Sequence, residues 1–326
     1  VSLGFQYALI FAVLLAAELL YFKIADRYNI IDKPNNRSSH TGLIIRGGGV
    51  IFILAVWCWF VTSDFTWPWF TLGATLLAII SFLDDVKPQR QLVRFSIHLT
   101  VVLLLFYDAQ LLSWPVWLIV LAVLVCIGTI NAFNFMDGIN GITGIHAVVS
   151  LVTFLYIQEF IYPFSRVSLM IISLLSVIIF LFFNFRKHAR CFAGDVGSTT
   201  LAFIQVFLLL QLIVYTDNFF WVIMFLVFGI DSVVTIVYRL LKKENIFRAH
   251  RTHVYQYLSN EIGLPHTTVA GVYGIIQFVL NVSLVVYLPE SGYQVPLLFS
   301  AGFILLYMIV RSKISGMIAT QNKIDK

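Results

Sequence analysis

The sequence predicts an all-α, polytopic membrane protein of about eleven spanning helices with one chemically active face, and three observations carry that prediction. Of its 326 residues 60% are hydrophobic and only 11% are charged, whereas a water-soluble domain carries about 25% charged residues. Apolar stretches approaching the ~20 residues a spanning helix needs recur along the whole chain. Finally, lysine and arginine collect in alternate connections between those stretches.

The eleven stretches are 2–23, 47–63, 68–83, 93–108, 113–131, 141–158, 166–184, 196–214, 218–240, 267–288 and 293–311, of which 68–83 and 93–108 are short. Lys23, Arg27, Lys33, Arg37 and Arg46 follow the first, and Lys87, Arg90 and Arg94 follow the third. Arg186, Lys187 and Arg190 follow the seventh, and Arg239, Lys242, Lys243, Arg248 and Arg251 follow the ninth. Arg311, Lys313, Lys323 and Lys326 come after the last. Twenty of the 21 basic residues therefore share one side, and only Arg166 lies opposite.

Because Lys and Arg accumulate in cytoplasmic loops, eleven spans put the amino terminus outside and the carboxyl terminus in the cytoplasm. A missed or invented helix would break the alternation. The first stretch has no basic leader and no small-residue cleavage site, and reads as a retained helix. Residues 1–326 read as one integral membrane domain, without soluble appendage or internal repeat. The net charge of +5 reflects orientation and attraction to anionic membrane lipid, and does not point to nucleic acid. Cys58, Cys126 and Cys191 lack CxxC spacing and read as small buried hydrophobes.

Polar residues gather in patches on the basic side, separated by whole helices. In the first, Asp84 and Asp85 end the third stretch beside Lys87 and Arg90. Paired carboxylates at a membrane are expensive unless they bind a cation or a base; a solvated helix end is the plain alternative. The second places Asn131, Asn134, Asp137 and Asn140 three residues apart, so that neighbours share a helix face. Gly138, Gly141 and Gly144 follow with a spacing suited to close approach of a ligand or another helix. This connection has no Lys or Arg, and a capped helix-helix turn is its bland reading.

The third patch is Asn184 followed by Gly194, Asp195, Gly197 and Ser198. Here an acidic residue among glycines opens a helix whose free amides suit phosphate. Asp195 could simply cap that helix, or recruit Mg²⁺ by bridging it to phosphate oxygens. Asp231, inside the ninth stretch, is a further intramembrane carboxylate. The fourth patch, His250, Arg251 and His253, suits diphosphate or sugar hydroxyls. No cysteine or third histidine stands near enough for zinc. A weaker fifth patch runs from Asp32-Lys33-Pro34 through Arg37-Ser38-Ser39-His40 to Arg46 and Gly47–Gly49.

Together these patches resemble the polyprenyl-phosphate N-acetylhexosamine-1-phosphate transferase superfamily, which includes the muramyl-pentapeptide translocase and enzymes that start O-antigen, capsule and teichoic acid synthesis. The resemblance runs from about Asp32 to Gln256 in order. The family's Asp-Asp pair corresponds to Asp84 and Asp85. Its Asn-x-x-Asn-x-x-Asp-Gly corresponds to Asn131, Asn134, Asp137 and Gly138, and its Asn followed by Gly-Asp-x-Gly-Ser to Asn184 and Gly194–Ser198.

The resemblance implies transfer of a sugar 1-phosphate from a UDP-N-acetylhexosamine to undecaprenyl phosphate in a bacterial inner membrane, releasing UMP. It implies Mg²⁺, with Mn²⁺ able to substitute. Asp195 would be the principal metal ligand, and Asp84 and Asp85 would bind metal or position the lipid phosphate as the remaining catalytic residues. Asn131, Asn134, Asp137, Asn140 and Asn184 would serve substrate binding, with Lys87, Arg90, Arg94, His250, Arg251 and His253 offering phosphate or sugar contacts. A homodimer stays open. A phosphate monoester has its second pKa near ~6, so positioning of the nucleophile matters more than removal of a proton from it.

His253-Val254-Tyr255-Gln256 departs from the family's His-x-His-His signature and from the translocase's three consecutive histidines. That argues against a muramyl-pentapeptide substrate and for a deoxysugar such as N-acetylated fucosamine or quinovosamine, with UDP-GlcNAc still credible, in O-antigen or capsule initiation. The rival from another class is a membrane transporter of an anionic substrate, which needs midplane carboxylates reached from both faces. The Asp-Gly-x-x-Ala-Arg signature of CDP-alcohol phosphotransferases is absent, since Asp137-Gly138 is followed by Ile139-Asn140-Gly141-Ile142.

Overall fold

A computed structural model describes residues 3–32, 44–246 and 250–324. Lys33 through His40 of the fifth patch, Arg248 and Lys326 lie outside the described residues. In chain order the elements are α1 (Leu3–Tyr28), β1 (Ile31–Asp32), β2 (Ile44–Ile45), α2 (Val50–Thr62), α3 (Pro68–Val86), α4 (Gln91–Asp108), α5 (Val116–Met136) and α6 (Ile142–Phe160). They continue with α7 (Val167–Asn184), α8 (Gly194–Thr216), α9 (Leu226–Leu241), α10 (Val254–Gln256), α11 (His266–Ser291) and α12 (Gln294–Ile324). A 3-10 stretch, Phe219–Phe225, leads into α9.

Every predicted apolar stretch is helical, because a chain in hydrocarbon must satisfy each N–H and C=O within its own segment. Among the described residues ten helices are long and apolar enough to span a membrane. The eleventh segment, α2, has only thirteen residues, about 20 Å at 1.5 Å per residue against a hydrocarbon core of ~30 Å. The expected start at residue 47 is displaced because Gly47–Gly49 is not helical. Its amides at Gly48 and Gly49 donate to the carbonyls of Phe192 (2.8 Å) and Ala193 (3.1 Å). Ile45 likewise pairs with the 190–192 backbone, and β2 with β1, so a small ribbon precedes α2. α3 and α4 are longer than predicted, reaching Val86 and starting at Gln91.

Packing verifies that alternate helix ends share a side. At one end the start of α1, the turn after α2 and the start of α7 line a common cavity that includes Arg166. There the Phe70 amide of α3 donates to Asp108 of α4 at 2.7 Å, Ser165 hydrogen-bonds Gln211, and Phe220 stacks on Tyr293. At the opposite end Tyr21 of α1 donates to the Arg46 carbonyl (2.6 Å), Arg46 reaches Asp85 of α3, and Asp85 reaches α8. This second end holds the basic connections and is called the basic end below. α2 runs between the two ends despite its length, so the helices on either side of it keep the expected alternation.

α8 is the central helix, enclosed by α2, α3, α5 and α6. Its Phe203 and Phe207 stack on Phe70 of α3, with centroids 5.7 and 4.3 Å apart. Its first turn is packed more tightly still: a Cβ on Gly49 would lie 2.1 Å from the Gly197 Cα, and one on Gly197 would lie 2.6 Å from the Gly49 Cα. Two backbones in contact cannot be relieved by a rotamer change. Gly49→Ala is therefore expected to destabilise by about 3 kcal/mol, the upper part of the overpacking range, and to lower the melting temperature in detergent by several degrees. Gly128→Ala, where no atom lies within 4 Å of the added carbon, is expected to leave it unchanged or raised; equal behaviour of the two variants would contradict the packing.

Candidate active site

The site forms where α3 ends and α8 begins. A helix start leaves backbone N–H groups without intrahelical partners, and inside a membrane protein they need an acceptor. Asp85 supplies it: Oδ1 accepts from the Asp195 amide and Oδ2 from the Val196 amide, both at 3.0 Å. The amides expected from sequence to be free for phosphate are thus already taken by a carboxylate of the chain itself. Gly194 permits the approach, having φ +72° and space for an added Cβ only 2.6 Å from Asp85 Oδ2. Arg46 completes the arrangement, donating to the Asp85 carbonyl at 3.1 Å with its Nε 3.7 Å from Oδ1.

Asp84, one residue earlier, points elsewhere, as adjacent helical residues diverge by about 100°. Its Oδ1 accepts from the Gln89 amide at 2.6 Å and its Oδ2 pairs with Arg94 Nη1 at 2.8 Å. The Asp195 carboxyl lies within hydrogen-bonding reach of Asp84, and Arg94 Nη2 stands 3.8 Å from it. The two neighbours therefore divide: Asp85 is buried as a brace, while Asp84 faces Asp195 across one guanidinium.

Among the described residues no three His, Cys, Asp or Glu side chains form a ready metal cage. Mg²⁺ does not ask for one, since it binds through one or two carboxylates and completes its shell with water and substrate phosphates. Asp84 and Asp195 fit that demand, and Arg94 spans them as a counter-cation. Asp85 differs from Asp84 in being buried, with both oxygens on backbone amides of α8, whereas Asp84 and Asp195 keep side-chain exposure.

The second patch surrounds this pair. α5 stops at Met136, so the three-residue spacing runs past the helix end, and Asp137 and Asn140 belong to the connecting turn. Asn134 accepts from Ser198 of α8 at 2.9 Å, and Asp137 accepts from Thr143 at 2.8 Å. Asn131 donates to the Ile127 carbonyl at 2.8 Å and lines the cavity described below. Asn140 and Asn184 face inward as braces. Asn140 Nδ2 donates to the Arg186 carbonyl at 2.7 Å; Asn184 accepts from the Gly141 amide at 2.7 Å and donates to the Cys191 carbonyl at 2.8 Å. The glycines of this turn admit protein neighbours: Tyr255 lies against Gly138, Phe185 against Gly141 and Leu181 against Gly144.

A cavity of about 890 Å³ opens beside Arg94 between α4, α5, Ile246 and the 250–256 segment. Its apolar wall is Leu92, Phe95, Ile127 and Phe135; its polar wall is Arg94, His98, Asn131, His250, His253 and Gln256. His250 and His253 stack with centroids 5.0 Å apart. Burial, and then His253 and Arg239 nearby, push His250 down to about 4, so at neutral pH it offers hydrogen bonds without charge. Arg251 is half-buried. Lys87 and Arg90 are exposed, and neither side chain has a partner among the described residues.

His98 was not selected from sequence, although a histidine in an apolar helix one turn beyond Arg94 was the available signal. It is buried, its Nδ1 is 2.7 Å from the Arg94 carbonyl, and its Nε2 has no partner among the described residues. Tyr255 was also missed; its hydroxyl donates to the Phe135 carbonyl at 2.8 Å and ties α10 to α5.

The glycosyl transferase family 4 model matches residues 67–213, from the start of α3 to the end of α8. A Bacillus subtilis (strain 168) protein described as "probable undecaprenyl-phosphate N-acetylglucosaminyl 1-phosphate transferase" is 26% identical over 318 residues, covering 91% of this chain and 87% of that one.

Burial pushes the Asp137 carboxyl up to about 7, with the Thr143 hydrogen bond opposing and the charge of Asp85 adding to the rise. A folded-state value above the unfolded one of ~3.9 means that this group's contribution is full below the unfolded value and lost as pH rises through about 7. In metal-free detergent solution the melting temperature is expected to fall between pH 5 and pH 8, and Asp137→Asn to flatten that slope. An unchanged slope in the variant would contradict the burial of an ionisable Asp137.

Proposed function

We propose, since this chain belongs to the polyprenyl-phosphate N-acetylhexosamine-1-phosphate transferase superfamily, that it transfers an N-acetylhexosamine 1-phosphate from a UDP-sugar to undecaprenyl phosphate. The observation that carries this reading is the Asp84–Arg94–Asp195 cluster beside a cavity with one apolar and one polar wall. Such a cavity suits a lipid that brings a phosphate to the membrane surface.

In the reaction an oxygen of the lipid phosphate forms a bond to the sugar-proximal phosphorus, and the bond from that phosphorus to the bridging oxygen breaks, leaving UMP. The two reactants are anions that repel, so catalysis rests on positioning and charge compensation. Asp84 and Asp195 would hold Mg²⁺, which would supply positive charge against the two anions. Arg94 is placed to pair with phosphate once the carboxylates are otherwise engaged, and bidentate guanidinium geometry suits that task. Asp85 and Arg46 keep the α3 end on the α8 start. Asn131, His250 and His253 offer the sugar or diphosphate hydrogen bonds from the polar wall.

The His253-Val254-Tyr255-Gln256 wording supports a deoxysugar donor of the N-acetylated fucosamine or quinovosamine type, with initiation of an O-antigen or capsule as the role. Asp84, Asp85, Asp137 and Asp195 share the basic end, which speaks against transport, since alternating access needs a site reached from both ends.

Purified protein given undecaprenyl phosphate, Mg²⁺ and a panel of UDP-N-acetyl amino sugars is expected to release UMP with a subset of donors, and to stop in EDTA. Asp195→Asn is expected to lower the rate at least about 100-fold, as for loss of a main electrostatic stabiliser, with an unchanged melting temperature. Full activity of that variant, or turnover in EDTA, would contradict the metal assignment; UMP from no donor would contradict the reading itself.

The basic end is proposed to face the cytoplasm of a bacterial inner membrane. In a background without Cys58, Cys126 and Cys191, Lys87→Cys is expected to react with an impermeant maleimide only in inverted vesicles and Asp64→Cys only in right-side-out ones. The reverse pattern would overturn the orientation.

A further inference from the structure

Asp231 is fully buried in the spanning part of α9, yet it is the most heavily hydrogen-bonded side chain near the cavity. Its Oδ1 accepts from the Val254 amide at 3.2 Å, the Tyr307 hydroxyl at 3.1 Å and the Thr235 hydroxyl at 3.3 Å, and it lies 3.1 Å from His253 Nδ1. Its Oδ2 accepts from the Tyr273 hydroxyl at 2.7 Å and the Tyr255 amide at 3.5 Å. Backbone amides can only donate, and Tyr307 already accepts from Arg311 Nη1 at 3.1 Å, which leaves its own hydrogen for Asp231. A ring of donors this complete fits an ionised carboxylate, which has no proton to give.

The tautomer of His253 follows. A carboxylate only accepts, so Nδ1 must carry hydrogen toward Asp231, and Nε2 is the nitrogen left for the cavity that His253 lines. The ring is held further by stacking with His250 at 5.0 Å and with Tyr255 at 5.7 Å. Helices α9, α11 and α12 contribute Asp231, Tyr273 and Tyr307 to this one arrangement. An internal counter-ion for Arg311 would need no such fan: Arg311 touches Tyr307 and Thr235 and makes no ion pair with Asp231.

We propose that Asp231 is a positioning residue of the transfer reaction, fixing from within the membrane the tautomer and aim of His253, which then meets a polar group of the sugar nucleotide in the cavity. The proposal rests on the transferase reading above. It separates two roles on the polar wall: His253 touches substrate, and Asp231 acts only through His253.

The test is a double-mutant cycle on kcat/KM for UMP release, with His253→Ala and Asp231→Asn. Asp231→Asn is expected to lose about 10–100-fold, the range found when the partner that orients a metal-ligating histidine is removed, and His253→Ala at least as much. Asp231→Asn is expected to cost nothing further in the His253→Ala background. The same factor lost in both backgrounds would make Asp231 structural and overturn the proposal. Should Asp231→Asn fail to fold, Tyr273→Phe removes one restraint on the carboxylate and is put through the same cycle, with a smaller loss that also vanishes without His253.

A second readout does not depend on activity. In ¹⁵N-histidine-labelled protein, the His253 resonances, assigned by their absence in His253→Ala, are expected to report hydrogen on Nδ1, and to move in Asp231→Asn or Tyr273→Phe. Resonances unmoved by either variant would overturn the dyad. Wild-type protein that releases no UMP while showing the expected resonances would defeat the transferase reading and leave the dyad standing.

Discussion

Asp85 accepts the backbone amides of Asp195 and Val196, which open α8 without partners inside the helix. A buried amide without a partner costs several kcal/mol in a membrane, so this bond decides where the end of α3 can sit. The rest of the site follows from it. With Asp85 committed inward, Asp84 is turned toward Asp195, and Arg94 bridges the two. Arg46, drawn to Asp85, brings along the Gly47–Gly49 turn, whose Gly49 packs against Gly197. The shortness of α2 has the same origin, because those glycines lie along the 192–193 backbone where a helix would otherwise have begun.

The same device recurs on the other side of the cavity. Asp231 receives the amides of Val254 and Tyr255 and ties α9 to the segment that carries the histidines. One buried carboxylate thus docks the start of α8 beside Asp84 and Asp195, and another docks the segment that carries His253. Asp84 and Asp195, which keep some side-chain exposure, and His253, a buried ring in the cavity wall, sit beside these anchors and are aimed by them. Asp85 and Asp231 show how a protein with so apolar a composition can keep charged groups at fixed positions: each is surrounded by donors from more than one segment.

Much of the fold was legible in the sequence because a bilayer imposes simple rules. Apolar length marked every helical segment, and the alternation of basic connections marked which ends meet. Departures arose where backbone hydrogen bonds between distant segments overrode apolar pattern, as at Gly47–Gly49, and where a polar spacing outlived its helix, as at Asp137 and Asn140. The candidate residues were recognisable as types at a spacing, but not as roles. Nothing in the string Asp84-Asp85 tells which carboxylate faces inward, since that depends on α8, more than a hundred residues away. Asn140 and Asn184 hold backbone carbonyls and an amide of neighbouring segments, contacts that the spacing does not display, because a buried loop has carbonyls and amides to satisfy before any substrate arrives. Tyr273 and Tyr307, which meet at Asp231, are not legible in the sequence because an isolated polar residue in an apolar helix carries no local pattern.

The account's central claim is that Asp84 and Asp195 form the metal-binding pair while Asp85 serves the fold. Mn²⁺ bound to purified protein in the presence of UDP, counted by electron paramagnetic resonance, tests it most directly. One tightly held Mn²⁺ is expected in the wild type, lost in Asp84→Asn and in Asp195→Asn while both retain the wild-type melting temperature. Undiminished binding in those two variants would contradict the account.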